Sequence, residues 1–599
     1  MKILQISTHD IKGGAARATY RLHRGLRGMD QDCCMLVRHK DTDDDFVSAV
    51  VQEQETETDE NAFFLEMPIQ EHYINANRTD ISNTLFSLPY PGYDISRSPL
   101  VRDADIINLH WVSHFQSPVT LQHIFALGKP VVWTLHDQWA FTGGCHYSAG
   151  CGGYRSGCSQ CPQLRADPFS LPEAILHDKE DLFRNANLTI VTPSRWMGRC
   201  ARESRLFKSL RVEVIANSLE TDLYSPLPKE QAKACLEIPD DAVTFLFGAI
   251  DGAEKRKGFA ELVDALRFCR ENAVFQEFLG KDRVRLLCFG SPSGQMESMG
   301  IPVVSLGRLG TDEEIRNAYS AADIFLLPSL EDNLPNTILE SMSCGTPVVA
   351  FHVGGVPDMV ADGVNGLLVK AYDTQKMGEA IVSLMADPDK RLSMGKACRE
   401  RAIRDYALDV QAGHYLKLYD DLLHQDQPSI IHMKSSAGSA HGMENDVAVP
   451  SAPTRASLDT TLGSRFHAVY DDLLFHALKS FTPHIHEKWT MSELDRLKRM
   501  EQIERLTRLL ESSEGDREAR LAQIHELTGL LKTCETDRAD RLGLLEALRD
   551  KLNHETQRVL VAEQGWQALE STQVVRKARR FGLVRLEKPD FSKNVEDEK

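Results

Sequence analysis

The stretch that decides the fold is Pro328–Gly355, PSLEDNLPNTILESMSCGTPVVAFHVGG. The apolar run AADIFLLPS (321–329) leads into it and reads as a buried strand. An acidic turn follows, then a helix-forming run carrying Glu340, a Gly-Thr-Pro break, a second short strand VVAF and the pair Gly354–Gly355. Strand, acidic loop, helix, strand and glycine loop is the order in which an α/β domain presents backbone amides and one carboxylate to a nucleotide.

Outward from this segment the same alternation continues. TFLFGAI (244–250), VRLLCFGS (284–291), PVVSLGR (302–308), DIFLLPS (323–329) and PVVAFHV (347–353) read as strands of one domain spanning 221–426. In residues 1–220, strands are expected at Lys2 to Ser7, near Cys34 to Val37, and at 104–111, 130–137 and 188–194. Gly13 and Gly14 open a helix that runs to about Gly28. Strands separated by helical stretches imply two largely parallel sheets covered by helices, with functional loops at the carboxyl ends of the strands.

A chain of 599 residues is too long for one core. Its net charge of −18 argues against nucleic acid as a partner. No run of about 20 apolar residues occurs, as a membrane-spanning helix needs, and MKILQIST begins a strand without a leader pattern. The expectation is a cytoplasmic protein, with reduced core cysteines at Cys33, Cys34, Cys269, Cys288 and Cys344.

Residues 427–458, rich in Ser, Ala, Gly and Pro, read as a flexible linker, followed by a short helical segment at 459–490. From 491 to 569, leucines at spacings of three and four among Glu, Arg and Lys read as a coiled coil, which supports a homodimer. A helix folded back on its own chain is the alternative. The closing segment, 570–599, contains the basic amphipathic run VVRKARRFGLVRL (574–586). Such a run suits peripheral contact with an anionic membrane at the inner face, and equally an ordinary solvated helix end.

The wording of the deciding segment resembles family 4 of the retaining GT-B glycosyltransferases, also called glycosyl transferases group 1. Asp332 and Glu340 have the family's spacing of two acidic residues, and Ser341, Cys344, Gly345, Thr346 and Pro347 continue its pattern. The family usually has Glu at the first position, so Asp332 with Glu331 beside it is a departure. The resemblance spans roughly residues 1 to 425, and TLHDQWAFTGGCHYS (134–148) resembles a polysaccharide-building subset of exopolysaccharide and colanic-acid type. It implies a GT-B fold, two Rossmann-like domains facing across a cleft, with a final helix crossing back to the first.

The resemblance also implies roles. Lys257 lies at the donor diphosphate, with Arg256 substituting for an arginine that the family often carries near Ala249 or Ile250. Glu340 binds the donor ribose, and Asp332 lies near the sugar hydroxyls. Asn333 and Leu334 supply backbone amides, and His136 stands at the reacting side, as a partly cationic imidazole or through its carbonyl. Gly14, with Gly13, permits close backbone approach. Arg17, His110 and Asp137 complete the acceptor side of the cleft, Asp137 as the group that orients His136. Asn336 and Thr337 are candidates to cap the helix that Glu340 begins. No cofactor is required for catalysis, because basic side chains and helix amides can neutralise the leaving phosphates. The partners implied are a nucleotide diphosphate sugar, UDP- or GDP-linked, and a glycan or lipid-linked acceptor. An epimerase or phosphorylase on the same fold, and a non-enzymatic coiled-coil scaffold, are the rival readings.

A separate feature is Cys145, Cys151, Cys158 and Cys161, ending in C-x2-C beside glycines. Four cysteines so spaced suit a structural zinc, with His146 as a substitute ligand. Two disulfides or four free thiols are the alternatives.

Overall fold

The computed structural model describes residues 1–50, 57–184, 186–249, 254–290 and 300–424. The linker, the helical segment after it, the coiled coil with its dimer, and the basic membrane-facing segment expected from the sequence lie outside these residues.

Two parallel sheets form the framework. The first contains β1 (Lys2–His9), β2 (Asp32–His39), β3 (Val47–Ala49), β4 (Ile106–Leu109), β5 (Val131–Thr134), β6 (Leu188–Thr192) and β7 (Arg211–Val214), in the order β3-β2-β1-β4-β5-β6-β7. The second contains β8 (Val243–Ala249), β9 (Val284–Gly290), β10 (Val303–Gly307), β11 (Ile324–Leu327), β12 (Val348–Phe351) and β13 (Gly366–Val369), ordered β10-β9-β8-β11-β12-β13. This is the two-sheet α/β architecture expected from the sequence. The strands IINL, VVWT, IFLL and VVAF are buried at every position, as helices on both faces of a parallel sheet require.

In both sheets the strand order reverses beside the first strand of the set, between β1 and β4 and between β8 and β11. Such a reversal opens a crevice at the carboxyl ends of the strands. Several strands are shorter than their apolar runs: β4 ends at Leu109 and β5 at Thr134. His110 and His136 therefore fall just past the ladder, where the backbone is free to turn into the crevice.

After β13 the chain forms three helices, Thr374–Ala386, Pro388–Tyr406 and Leu408–His424. The last of these packs on the first sheet, placing Ala412, Tyr415, Leu418 and Tyr419 among Ile3, Leu22, Leu26, Ile106 and Val132. Burying each large apolar side chain contributes roughly 1.5–3 kcal/mol. Two tyrosine hydroxyls enter the sheet's polar underlayer: Tyr419 contacts the Asn108 amide at 2.9 Å and Tyr415 the Thr134 hydroxyl at 2.8 Å.

Tyr419→Phe should leave the buried Asn108 side chain without this partner. The expected cost is about 1–3 kcal/mol, read as a lower urea midpoint. Tyr372→Phe, at an exposed position, should leave the midpoint where it is.

Candidate functional site

The site begins at the loop after β1. Gly13 has φ 97°, which favours glycine, and Gly14 opens the helix Gly14–Gly28. The Gly14 carbonyl accepts from Asn336 Nδ2 at 2.9 Å. Asn336 is thus spent on the facing half of the molecule, and the helix Asn336–Ser343 is capped by Pro335 without a side-chain bond. That corrects the expectation that Asn336 or Thr337 caps it. Glu340 is the fifth residue of this helix and does not stand at its start.

The Glu340 carboxylate is buried, at 7% exposure, and burial pushes its pKa up against the pull of Arg21 and Arg17. Arg21, which sequence reasoning overlooked, is fully buried. Its Nε donates to Glu220 at 2.8 Å, and its Nη2 lies 3.5 Å from Glu340. The available signal was helical spacing: Arg21 lies one turn after Arg17 on the same helix. Arg17 itself pairs with the Asp312 carboxylate and donates to Tyr224 at 3.1 Å.

At the second sheet, Lys255–Lys257 forms a 3-10 turn closed by Gly258 at φ 71°. A Cβ on Gly258 would lie 1.9 Å from the Pro328 carbonyl oxygen, so the turn is seated directly on the deciding segment. Lys257 Nζ reaches Asp332 Oδ2 at 2.8 Å, and Arg256 Nη1 reaches the same oxygen at 3.2 Å. Burial would raise the Asp332 pKa, but the two cations outweigh it and hold the carboxyl below its ordinary value. Arg256 also pairs with Glu254 at 3.0 Å and lies 4.1 Å from the centroid of the Tyr147 ring.

The two neighbouring carboxylates face different ways. Asp332 turns to Lys257 and Arg256, whereas Glu331 accepts from Ser148 Oγ at 3.3 Å and from the Ala149 amide at 3.0 Å. Asn333 Oδ1 accepts from Ser194 Oγ at 2.7 Å, and its Nδ2 donates to the carbonyls of Leu135 and His136, both at 3.1 Å. The Asn333 amide N–H donates to Asp332 Oδ1 at 3.0 Å. Leu334 buries its side chain in the core of the second half.

His136 is partly buried, and its Nε2 lies 3.0 Å from His110 Nδ1. The His110 Nε2 in turn lies 2.6 Å from Gln5 Oε1. A carbonyl oxygen only accepts, so that nitrogen carries the proton. Burial lowers both imidazole pKa values, that of His136 to about 4, so the rings are neutral at pH 7. His110 Nδ1 must then accept from His136 Nε2–H, which leaves His136 Nδ1 as an unprotonated acceptor.

Three expectations are corrected here. His136 is a neutral imidazole and not a partly cationic one, because burial outweighs the nearby Asp137. His110 does not line the cleft: at 3% exposure it lies beneath His136 and sets its tautomer. Asp137 does not orient His136. Its carboxylate is taken by His146 Nδ1 at 2.6 Å, Trp111 Nε1 at 2.8 Å and the Trp139 amide at 2.9 Å.

The four cysteines of the 145–161 loop line a single cavity of about 20 Å³. None of the described cysteines is in a disulfide.

Residues 242–387 match the family described as Glycosyl transferases group 1, about a quarter of the chain. Alpha-maltose-1-phosphate synthase from Mycolicibacterium smegmatis is 32% identical over 229 residues, which is 35% of this chain and 56% of that protein. A D-inositol 3-phosphate glycosyltransferase from Kribbella flavida is 30% identical over 204 residues, 32% of this chain and 47% of that protein. The chain spans about half the length of the curated relatives it matches. Sucrose-phosphate synthase from Thermosynechococcus elongatus has a TM-score of 0.47 at 18% identity, covering 70% of this chain and 99% of that one. WaaG, a glycosyltransferase involved in lipopolysaccharide biosynthesis, has a TM-score of 0.47 at 13% identity, covering 71% of this chain and 100% of that one.

The neutral state of His136 has a measurable consequence. Its folded pKa of about 4 lies below the unfolded value of 6.5, so unfolding takes up a proton between those limits. Stability is unaffected above 6.5 and falls as pH drops towards 4, by at most about 1.4 kcal/mol per pH unit for this group. His136→Gln should flatten the dependence of the urea midpoint on pH across that window. An unchanged slope would mean that the imidazole is already protonated in the folded protein there.

Proposed function

We propose that this protein is a retaining glycosyltransferase that moves a hexose from a nucleotide diphosphate sugar to a growing glycan or lipid-linked acceptor in surface polysaccharide assembly. One observation carries the reading. Within the segment matching Glycosyl transferases group 1, Lys257 and Arg256 meet at Asp332, the next residue Asn333 holds the His136 carbonyl of the first sheet's side, and Glu340 is buried beside Arg21. The names of the curated relatives, a maltose-1-phosphate synthase and inositol phosphate glycosyltransferases, support transfer of a glycosyl group.

The chemistry follows from charge. Transfer leaves a nucleoside diphosphate carrying the negative charge released at the anomeric carbon, and fixed cations stabilise that charge where it develops. Lys257 and Arg256 supply them without a metal. In the absence of donor they neutralise Asp332, and a bound diphosphate exchanges one anion for another at Lys257. Asp332 is then available to accept from sugar hydroxyls. The Glu340 carboxylate, buried beside Arg21, is suited to accept from the two ribose hydroxyls. His136 contributes a lone pair at Nδ1 to orient a hydroxyl at the reacting side, and facing halves that exclude water protect the donor from hydrolysis. The likeness of residues 134–148 to polysaccharide-building enzymes supports the acceptor class. The basic run at 574–586 would hold the protein at an anionic membrane surface carrying a lipid-linked acceptor.

Thermal unfolding followed against UDP-, GDP-, ADP- and TDP-sugars tests the reading. One nucleotide class should raise the midpoint. Glu340→Ala and Lys257→Ala should each weaken binding by about 1.5–3 kcal/mol, roughly ten- to a hundredfold in Kd. A folded protein that responds to none of the four would refute the donor site.

A further inference from the structure

We propose that Cys145, Cys151, Cys158 and Cys161 bind one zinc-class divalent ion as four thiolates, forming a structural centre that shapes the first half's side of the cleft. The four side chains come from 17 residues of chain and surround one cavity of about 20 Å³. A single water-sized sphere needs at least about 10–15 Å³, so the space admits one ion.

Cysteine sulfur is the most frequent donor on this wall, which also carries the hydroxyls of Thr142, Ser148, Tyr154 and Ser159 and the Gln163 amide. Three of the other polar side chains are spent elsewhere: the Thr142 hydroxyl on the Cys145 carbonyl at 2.6 Å, the Ser148 hydroxyl on Glu331 at 3.3 Å, and the Gln163 amide on the Tyr147 carbonyl at 2.9 Å. His146 is not a substitute ligand, because its ring nitrogens are held by Asp137 at 2.6 Å and Ser87 at 3.0 Å. Four soft donors select a tetrahedral thiophilic ion.

Some neighbouring groups can offset negative charge on sulfur once a cation is bound. The Gly153 amide donates to Cys151 Sγ at 3.3 Å. The Leu164 amide donates to the Cys161 carbonyl at 3.2 Å and the Cys158 amide to the Gly153 carbonyl at 2.9 Å, which fix the turn that carries the sulfurs. Two cations flank the group. Lys179 is buried and interacts with Cys158 and Cys145, and Arg78 interacts with Cys145 and Cys161. The Lys179 Nζ donates to the carbonyls of Trp139 and Thr142, which holds the cation beside the cysteine loop. Four neutral thiols need no such counter-charge. A tetrathiolate centre, with net charge −2, does. The turn itself is strained: Cys158 and Gln160 both have φ 55°, the left-handed region that non-glycine residues avoid.

As they stand, no group of three or more His, Cys, Asp or Glu among the described residues is arranged to hold a metal ion. Burial keeps Cys145, Cys158 and Cys161 as thiols, with their pKa values raised. Binding therefore turns the sulfurs into the cavity that they already line. One dication enters, four S–H bonds break, four metal–sulfur bonds of about 2.3 Å form, and four protons pass to solvent. The consequence reaches the cleft, because the same loop carries Tyr147 against Arg256 and Ser148 and Ala149 against Glu331.

The test uses the full chain. Elemental analysis of the purified protein should find one zinc per chain. Exchange with cobalt(II) should give the charge-transfer and ligand-field bands of a tetrahedral tetrathiolate. Cys161→Ser should lose the ion to a chelator that leaves the parent loaded, whereas Cys235→Ser, an exposed cysteine outside the cluster, should retain it. If Cys161→Ser fails to fold, the metal content and cobalt spectrum of the parent decide. Four titratable thiols without metal, two disulfides, or a cobalt spectrum of mixed nitrogen and sulfur ligation would each overturn the assignment.

Discussion

The side chain of Asn333 is the joint on which the cleft depends. It is buried, and it accepts from Ser194 while donating to two consecutive carbonyls, those of Leu135 and His136. Removing it would strand three polar groups, each costing about 1–3 kcal/mol when buried without a partner. The loop around it has no slack. A Cβ on Gly355 would lie 1.8 Å from the Asn333 carbonyl oxygen, and one on Gly354 would lie 1.9 Å from that of Asp332. With Asn333 so clamped, Glu331 and Asp332 are directed to opposite partners, and the His136 carbonyl is held against the second sheet.

Around that joint the cleft is lined by paired charge. Arg21, Glu220 and Glu340 form one buried group, and Lys257, Arg256 and Asp332 form another. Such pairs contribute little net stability, because desolvation offsets most of the attraction. Arg21 Nη1 also lacks a hydrogen-bond partner among the described residues, a cost without return in a purely structural core. Retaining charge here is consistent with a site that exchanges one anion for another when a diphosphate arrives. The polar layer beneath β4 and β5 serves a different end. Gln5, His110 and His136 form one chain of hydrogen bonds, and its first member determines which nitrogen of its last carries a lone pair.

Local pattern determined much of this protein. Apolar runs bounded by turns marked the buried strands, and the glycines after β1 marked the start of the first helix. The spacing of Asp332 and Glu340 marked the segment that matches Glycosyl transferases group 1, and four clustered cysteines marked a shared cavity. These features depend on residues close in sequence, so their signal survives without the fold. What only the tertiary structure decided are the pairings between distant segments. The proximity of Asp137 to His136 suggested an orienting carboxylate, yet Asp137 belongs to His146, while His136 is governed by Gln5 through His110. Arg21 carried no reading in the sequence, and the fold encloses it against Glu220 and Glu340. The physical reason is that a side chain's pKa, tautomer and partner follow from what surrounds it in space, and for these residues the surroundings come from elements up to some 300 positions away.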